Sequence, residues 1–160
     1  IIQPFHAGAG NLYSAEYFRL ARAALKDGGL MLQWVGHRPA SQYRLIARTF
    51  LEVFPHATAW QGGTLLAGTL EPLTLVADDY RERLRDPRFG SALGSIGVAG
   101  WGGLVRAYTA GPDELRAFIG PGPILTDDRP LVEYFLSLPK NESDIDLSTL
   151  RGDVRRHIIN

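Results

Sequence analysis

Asp127, Asp128 and Glu133 form a local cluster of carboxylates with Arg129 among them. Acids so placed could hold an ammonium group, because opposite charges about 4 Å apart attract usefully once partly withdrawn from water. A carboxylate can also orient an amine and accept its proton. An alkylamine with a pKa of about 10.4 is neutral in only about one molecule in 10³ at pH 7, roughly 4–5 kcal/mol against nucleophilic attack. The same residues have a plainer use, in which Thr126 or Asp127 caps a turn and Arg129 neutralises a neighbour. Too few further ligands stand nearby to make the cluster a metal site.

Other residues with chemical capacity are scattered. His6, His37, His56 and His157 have no metal-ligand spacing. His6, in the Gly-rich start of the chain, is the candidate acid or base. Gln3 stands before Pro4; its amide can orient an amine but cannot act as a base near neutral pH, and a polar strand end explains it equally well. Tyr13 either lines a pocket mouth or packs where a helix begins. Trp60 and Gln61 fall at a predicted turn, where the indole fits a rim or core as well as a substrate clamp. Gly100, Gly102 and Gly103 are spaced like part of a phosphate loop, but no good strand precedes them.

The elements that must position these groups follow from periodicity. Ile1 and Ile2 read as the end of a buried strand stopped by Pro4. Ser14 should cap a helix with Tyr17, Leu20, Ala21, Ala24 and Leu25 as its apolar stripe, ended by Gly28 and Gly29. Residues 30–35 read as a buried strand. Ser41 should cap a second helix, with Tyr43, Ile46, Ala47, Phe50, Val53 and Phe54 on one face and Pro55 as the stop. Strands over 57–60 and 64–69 should form a hairpin about Gln61-Gly62-Gly63. This alternation argues for an α/β fold with a mainly parallel sheet and an antiparallel addition at its end.

Beyond residue 75 the pattern predicts a polar-faced helix over 77–85 and short helices over 104–108 and 112–119, the latter opened by Pro112. Residues 120–123 are a rigid connector and 131–138 a closing strand. A linker over 140–146 and a tail helix through Leu147, Leu150, Val154 and Ile158 complete a division into 1–139 and 140–160.

The 160 residues suffice for one domain with a real core. Lys plus Arg and Asp plus Glu number 17 each, so a general nucleic-acid or membrane-surface binder, which needs a basic excess, is disfavoured. The lack of cysteine removes disulfides, thiolate metal sites and cysteine nucleophiles, and is compatible with the cytoplasm. No apolar run reaches the roughly 20 residues of a membrane span.

Three blocks share an order and spacing: PFHAGAGNLYS over residues 4–14, RTFLEVFPH over 48–56 and LTDDRPLVEY over 125–134. Together they resemble the spermidine synthase family, most closely the bacterial spermidine-synthase-like proteins often fused to membrane segments, over roughly residues 1–138. The resemblance implies the C-terminal part of a Rossmann-like, methyltransferase-type sheet. It implies a parent transferase of polyamine biosynthesis that moves an aminopropyl group from decarboxylated S-adenosylmethionine to a polyamine. It puts the Gly-rich nucleotide loop and the ribose-holding acid before Ile1, so this chain alone is expected to hold no cofactor and to be inactive. The resemblance assigns the substrate side to Gln3, His6 and Tyr13 and to Trp60, Gln61, Asp127, Asp128 and Glu133. Gln3 stands where the family has an aspartate. Two other readings are a non-catalytic binding or dimerisation domain that keeps the fold, and an S-adenosylmethionine-dependent methyltransferase. The Ile1-Ile2 strand, left as an exposed apolar sheet edge, or the tail helix is expected to make a homodimer.

Overall fold

The computed structural model describes residues 9–133, 139 and 141–159. The expected strand at Ile1 and Ile2 lies outside them. The chain is mixed α/β. A 3-10 turn, Gly10–Tyr13, leads into α1, Ala15–Ala24; β1 is Leu30–Trp34, α2 Ala40–Val53, β2 Thr58–Trp60 and β3 Leu65–Thr69. Short elements follow: β4 Leu75–Val76, α3 Ala77–Arg83, α4 Pro87–Ser95, α5 Trp101–Ala107, β5 Tyr108–Ala110, α6 Pro112–Ile119 and β6 Ile158–Ile159.

The main sheet has the order β1-β3-β2-β5, and every pair in it is antiparallel. The expected mainly parallel sheet is therefore corrected. Its physical source is the hairpin about Gln61–Gly63, which folds β3 back between β1 and β2 and pairs with both. Since β1 and β2 each oppose β3, they run in one direction, and α2 joins them as a split βαβ unit.

α1, α2 and α6 pack together over one sheet face. The stripe expected on α2 is buried throughout, and Leu45 and Leu51 are buried as well because α1 and α6 flank the helix. Phe18 of α1 meets Phe50 edge-on at 5.0 Å, and Phe50 lies 4.9 Å from Phe54. Burying each such ring contributes about 1.5–3 kcal/mol, with roughly 0.5–1.5 kcal/mol more from edge contact.

Several local expectations change. Ser14 does cap α1, its hydroxyl accepting from Tyr17 N at 3.2 Å. The buried face of α1 is Ala15 and Phe18, however, and Leu20 of the expected stripe is 72% exposed. The helix turns toward α2 rather than toward the sheet alone, which brings Arg22 Nη1 to Val53 O at 2.8 Å. Ser41 lies inside the first turn of α2; Glu142 acts in its place, accepting from Ser41 N at 3.0 Å, an acid at the positive end of the helix dipole. β1 is not buried on both faces: Leu30, Leu32 and Trp34 are exposed on the face the helices leave uncovered.

The C-terminal expectations change most. Residues 131–133 form a turn, and 134–138 of the expected closing strand lie outside the described residues. No tail α-helix forms: Ile145, Leu147 and Leu150 are buried in the main core, Val154–His157 is a 3-10 turn and β6 pairs in parallel with β4. The linker stretch is held by a bridge between Pro39 and Asp144 and by Ile145 N donating to Arg38 O at 2.9 Å. Its leucines recur at near-helical spacing, but they point into the domain, and Gly152 N donates to Thr109 O at 2.7 Å in the middle of the run.

Candidate functional site

β1 and β2 run in one direction, so their carboxyl ends lie at the same end of the sheet. A cleft of about 600 Å³ opens there. His37, just beyond β1, and Gly62, just beyond β2, line it with Arg106 and Tyr108; the segment from Asp146 to Arg151 forms the facing wall. The volume falls within the roughly 300–1,000 Å³ usual for small-molecule sites.

Tyr108 is the best-fixed group at the cleft. Leu73 O can only accept, so His157 Nδ1, 3.1 Å away, donates to it. His157 Nε2 is then an acceptor in the neutral ring, and Tyr108 Oη donates to it at 3.0 Å. Burial, with Glu114 adding a nearby negative charge, pushes the Tyr108 hydroxyl up to about 12. At neutral pH Tyr108 is thus a fixed neutral donor, and neither a base nor a nucleophile. Trp60 packs edge-on against it at 5.5 Å and donates Nε1 to Thr58 Oγ1 at 2.8 Å. Trp60 is therefore a half-buried packing residue behind Tyr108, and Gln61 an exposed turn residue with φ of 52°; neither lines the cleft.

A second polar centre lies at the end of β1. Arg38 is buried; its Nε donates to Val35 O at 2.5 Å, its side chain bonds Tyr13, and its guanidinium stands 6.0 Å from the centre of the Trp34 ring. Burial lowers the Arg38 pKa, opposed by Tyr13 and then by Asp144. Tyr13 is itself buried, so its ring is a packing element tied to Arg38.

The acidic block lies elsewhere and is tied into the fold mainly through its backbone. Ala15 N donates to Leu125 O at 2.9 Å, and Leu125 N to Thr49 Oγ1 at 2.8 Å, which pins the segment between α1 and α2. Thr126 pairs with Arg129 across a tight turn, and Thr126 Oγ1 donates to Asp128 at 2.6 Å. Asp127 N donates to Glu16 at 3.1 Å, and Glu133 accepts from Gly10 N at 2.5 Å. Asp127 and Asp128 thus shape a turn, and Glu133 reaches back to the 3-10 turn that carries Tyr13. None of the three lines the cleft. Gln3 and His6 lie outside the described residues. Gly100 caps α5 with no strand before it, and Gly103 packs against Val98.

A smaller cavity of about 310 Å³ lies against α2 and α6. Its arginines serve the fold: Arg48 donates to Gly120 O and Pro123 O at 3.0 and 2.8 Å, and Arg116 to Pro55 O at 2.5 Å. Among the described residues no three His, Asp or Glu side chains gather as a metal-binding group, and no helix is long and apolar enough to cross a membrane.

Arg38, Arg106, Tyr108 and Arg151 were not among the residues that sequence reasoning selected. For Arg38 the usable signal was positional: it lies just past the predicted strand over 30–35. Comparison with protein-family models, with curated proteins and with solved structures gives no match.

Proposed function

We propose that this chain is a small-molecule binding domain with the fold of the C-terminal part of a spermidine-synthase-like protein, and that it does not transfer aminopropyl groups. The fold reading is supported by the split βαβ unit, in which β1 and β2 run in one direction, joined by α2, with the hairpin strand β3 between them. The reading of function is carried by one observation: the cleft at the strand ends presents Arg106 and Arg151, while Asp127, Asp128 and Glu133 all lie outside it, with Asp128 and Glu133 accepting hydrogen bonds from Thr126 and Gly10. Aminopropyl transfer needs a carboxylate beside the attacking amine. Among the described residues, a polyamine entering this cleft meets two guanidinium groups and a single acid, Asp146.

Calorimetric titration with spermidine and with methylthioadenosine, the nucleoside product of aminopropyl transfer, tests this reading. Neither should give a saturable heat. Saturable spermidine binding at micromolar concentration, or aminopropyl transfer from decarboxylated S-adenosylmethionine, would overturn it and restore the transferase reading. The domain is further proposed to form a homodimer through β1, which among the described residues pairs on one side only.

A further inference from the structure

We propose that the cleft at the carboxyl ends of β1 and β2 binds a small phosphate-bearing anion through Arg106 and Arg151. This rests on the reading of that cleft as the binding site and adds the class of its ligand. Among the described residues six arginines, Arg19, Arg81 and Arg155 among them, stand within ion-pair distance of an acid. The two that face the cleft do not, among the described residues. Arg106 lies in the last turn of α5 and makes neither a hydrogen bond nor an ion pair there. Arg151 donates Nε to Ser148 O at 3.0 Å, which orients its guanidinium while leaving the terminal Nη groups for another acceptor. Asp146, the acid of the same wall, accepts from Ser148 N at 2.9 Å and pairs with neither arginine.

The surroundings suit a compact, polar guest. Tyr108 gives a fixed neutral edge, its hydroxyl already turned to His157. The backbone beyond β2 has no side chain at Gly62, where nothing would meet even a Cβ, so a ligand can approach the main chain. Guanidinium groups match phosphate oxygens with paired N–H donors. A phosphate monoester carries close to two negative charges at pH 7, one for each cation. The chain as a whole has no net charge, so attraction comes from this local pair and not from a general basic field.

The test uses the whole chain and inorganic phosphate as the probe, at constant ionic strength with chloride as the balancing anion. Saturable binding is expected, with amide shifts in the wild-type spectrum centred on Gly62, Arg106 and Arg151. Arg106→Gln and Arg151→Gln should each weaken it about tenfold, as loss of one charge-assisted pair implies, whereas Arg85→Gln, an exposed arginine outside the cleft, should leave it unchanged. All three side chains are exposed, so circular dichroism should show intact folds. Linear, non-saturating heats, shifts centred elsewhere, or equal weakening by Arg85→Gln would overturn the proposal. Its failure leaves the absence of polyamine binding standing, and spermidine binding in the parallel titration would instead sink the reading beneath it.

Discussion

At the scale of single residues, the question at Tyr108 is which protonation state the fold enforces. Its hydroxyl is raised from 10.0 to about 12, by burial first and by Glu114 second. The sign follows from linkage. A group that holds its proton more tightly folded than unfolded contributes stability that is complete below its unfolded pKa and lost as pH climbs through its folded one. The Tyr108 contribution is therefore full below about pH 10 and disappears toward pH 12. The difference in melting temperature between wild type and Tyr108→Phe should be flat from pH 7 to 9.5 and shrink or reverse above pH 10, and ultraviolet titration should show the variant lacking one late-ionising tyrosine. A difference that stays constant through pH 11 would refute the role of burial at this hydroxyl. Little of this was legible in the sequence. Tyr108 reads locally as the end of a short helix, and its partner His157 follows 49 positions later. The acids misled for the opposite reason: Asp127 and Asp128 crowd together because a tight turn wants short polar side chains, and turn chemistry and substrate chemistry use the same residue types.

At the scale of elements, periodicity served best where one helix face met one sheet face. On α2 every predicted stripe residue is buried, because its apolar positions recur at the helical period and nothing interrupts them. What the sequence did not reveal is how closely that helix approaches β3. Gly68 makes the approach feasible: a Cβ there would stand 2.5 Å from the Phe54 ring and 2.9 Å from that of Phe50. Gly68→Ala should accordingly destabilise the chain by about 1–3 kcal/mol, the usual cost of overpacking, measured by urea denaturation at unchanged slope. A second substitution, Phe54→Ala, should cost less in the Gly68→Ala background than in wild type, since it removes the Cγ and ring that the new methyl strikes; additivity of the two penalties would show that the contact is not the cause. The tail failed as an element prediction because Leu147 and Leu150 satisfy a helical period without a helix. Their burial against Gly63 comes from a chain that wraps the domain, and sequence spacing alone cannot separate a wrap from a helix.

At the scale of the whole molecule, the helical layer covers one face of the main sheet and leaves β1 doubly exposed. Leu30, Leu32 and Trp34 are 48%, 57% and 41% exposed on the uncovered face. The outer backbone edge of the same strand has no partner among the described residues. The strand reads LMLQW, with no charge and no proline, so it lacks the features that discourage edge pairing. A chain of zero net charge adds no long-range repulsion. Two copies joined by antiparallel β1–β1 pairing would extend the four strands into a continuous sheet about a two-fold axis, which is self-complementary and closes without forming filaments. The tail, once a rival dimer element, is engaged at β4 through β6 and no longer competes. Sedimentation across micromolar concentrations should show a dimer, and Leu32→Lys should shift it to monomer with unchanged far-ultraviolet dichroism, because the side chain already faces water and only the association is charged. A wild-type chain that remains monomeric throughout would mean that the apolar edge is tolerated singly. Equal dimerisation by Leu32→Lys would instead move the interface away from β1, leaving the exposed Leu20 side of α1 as the next surface to substitute.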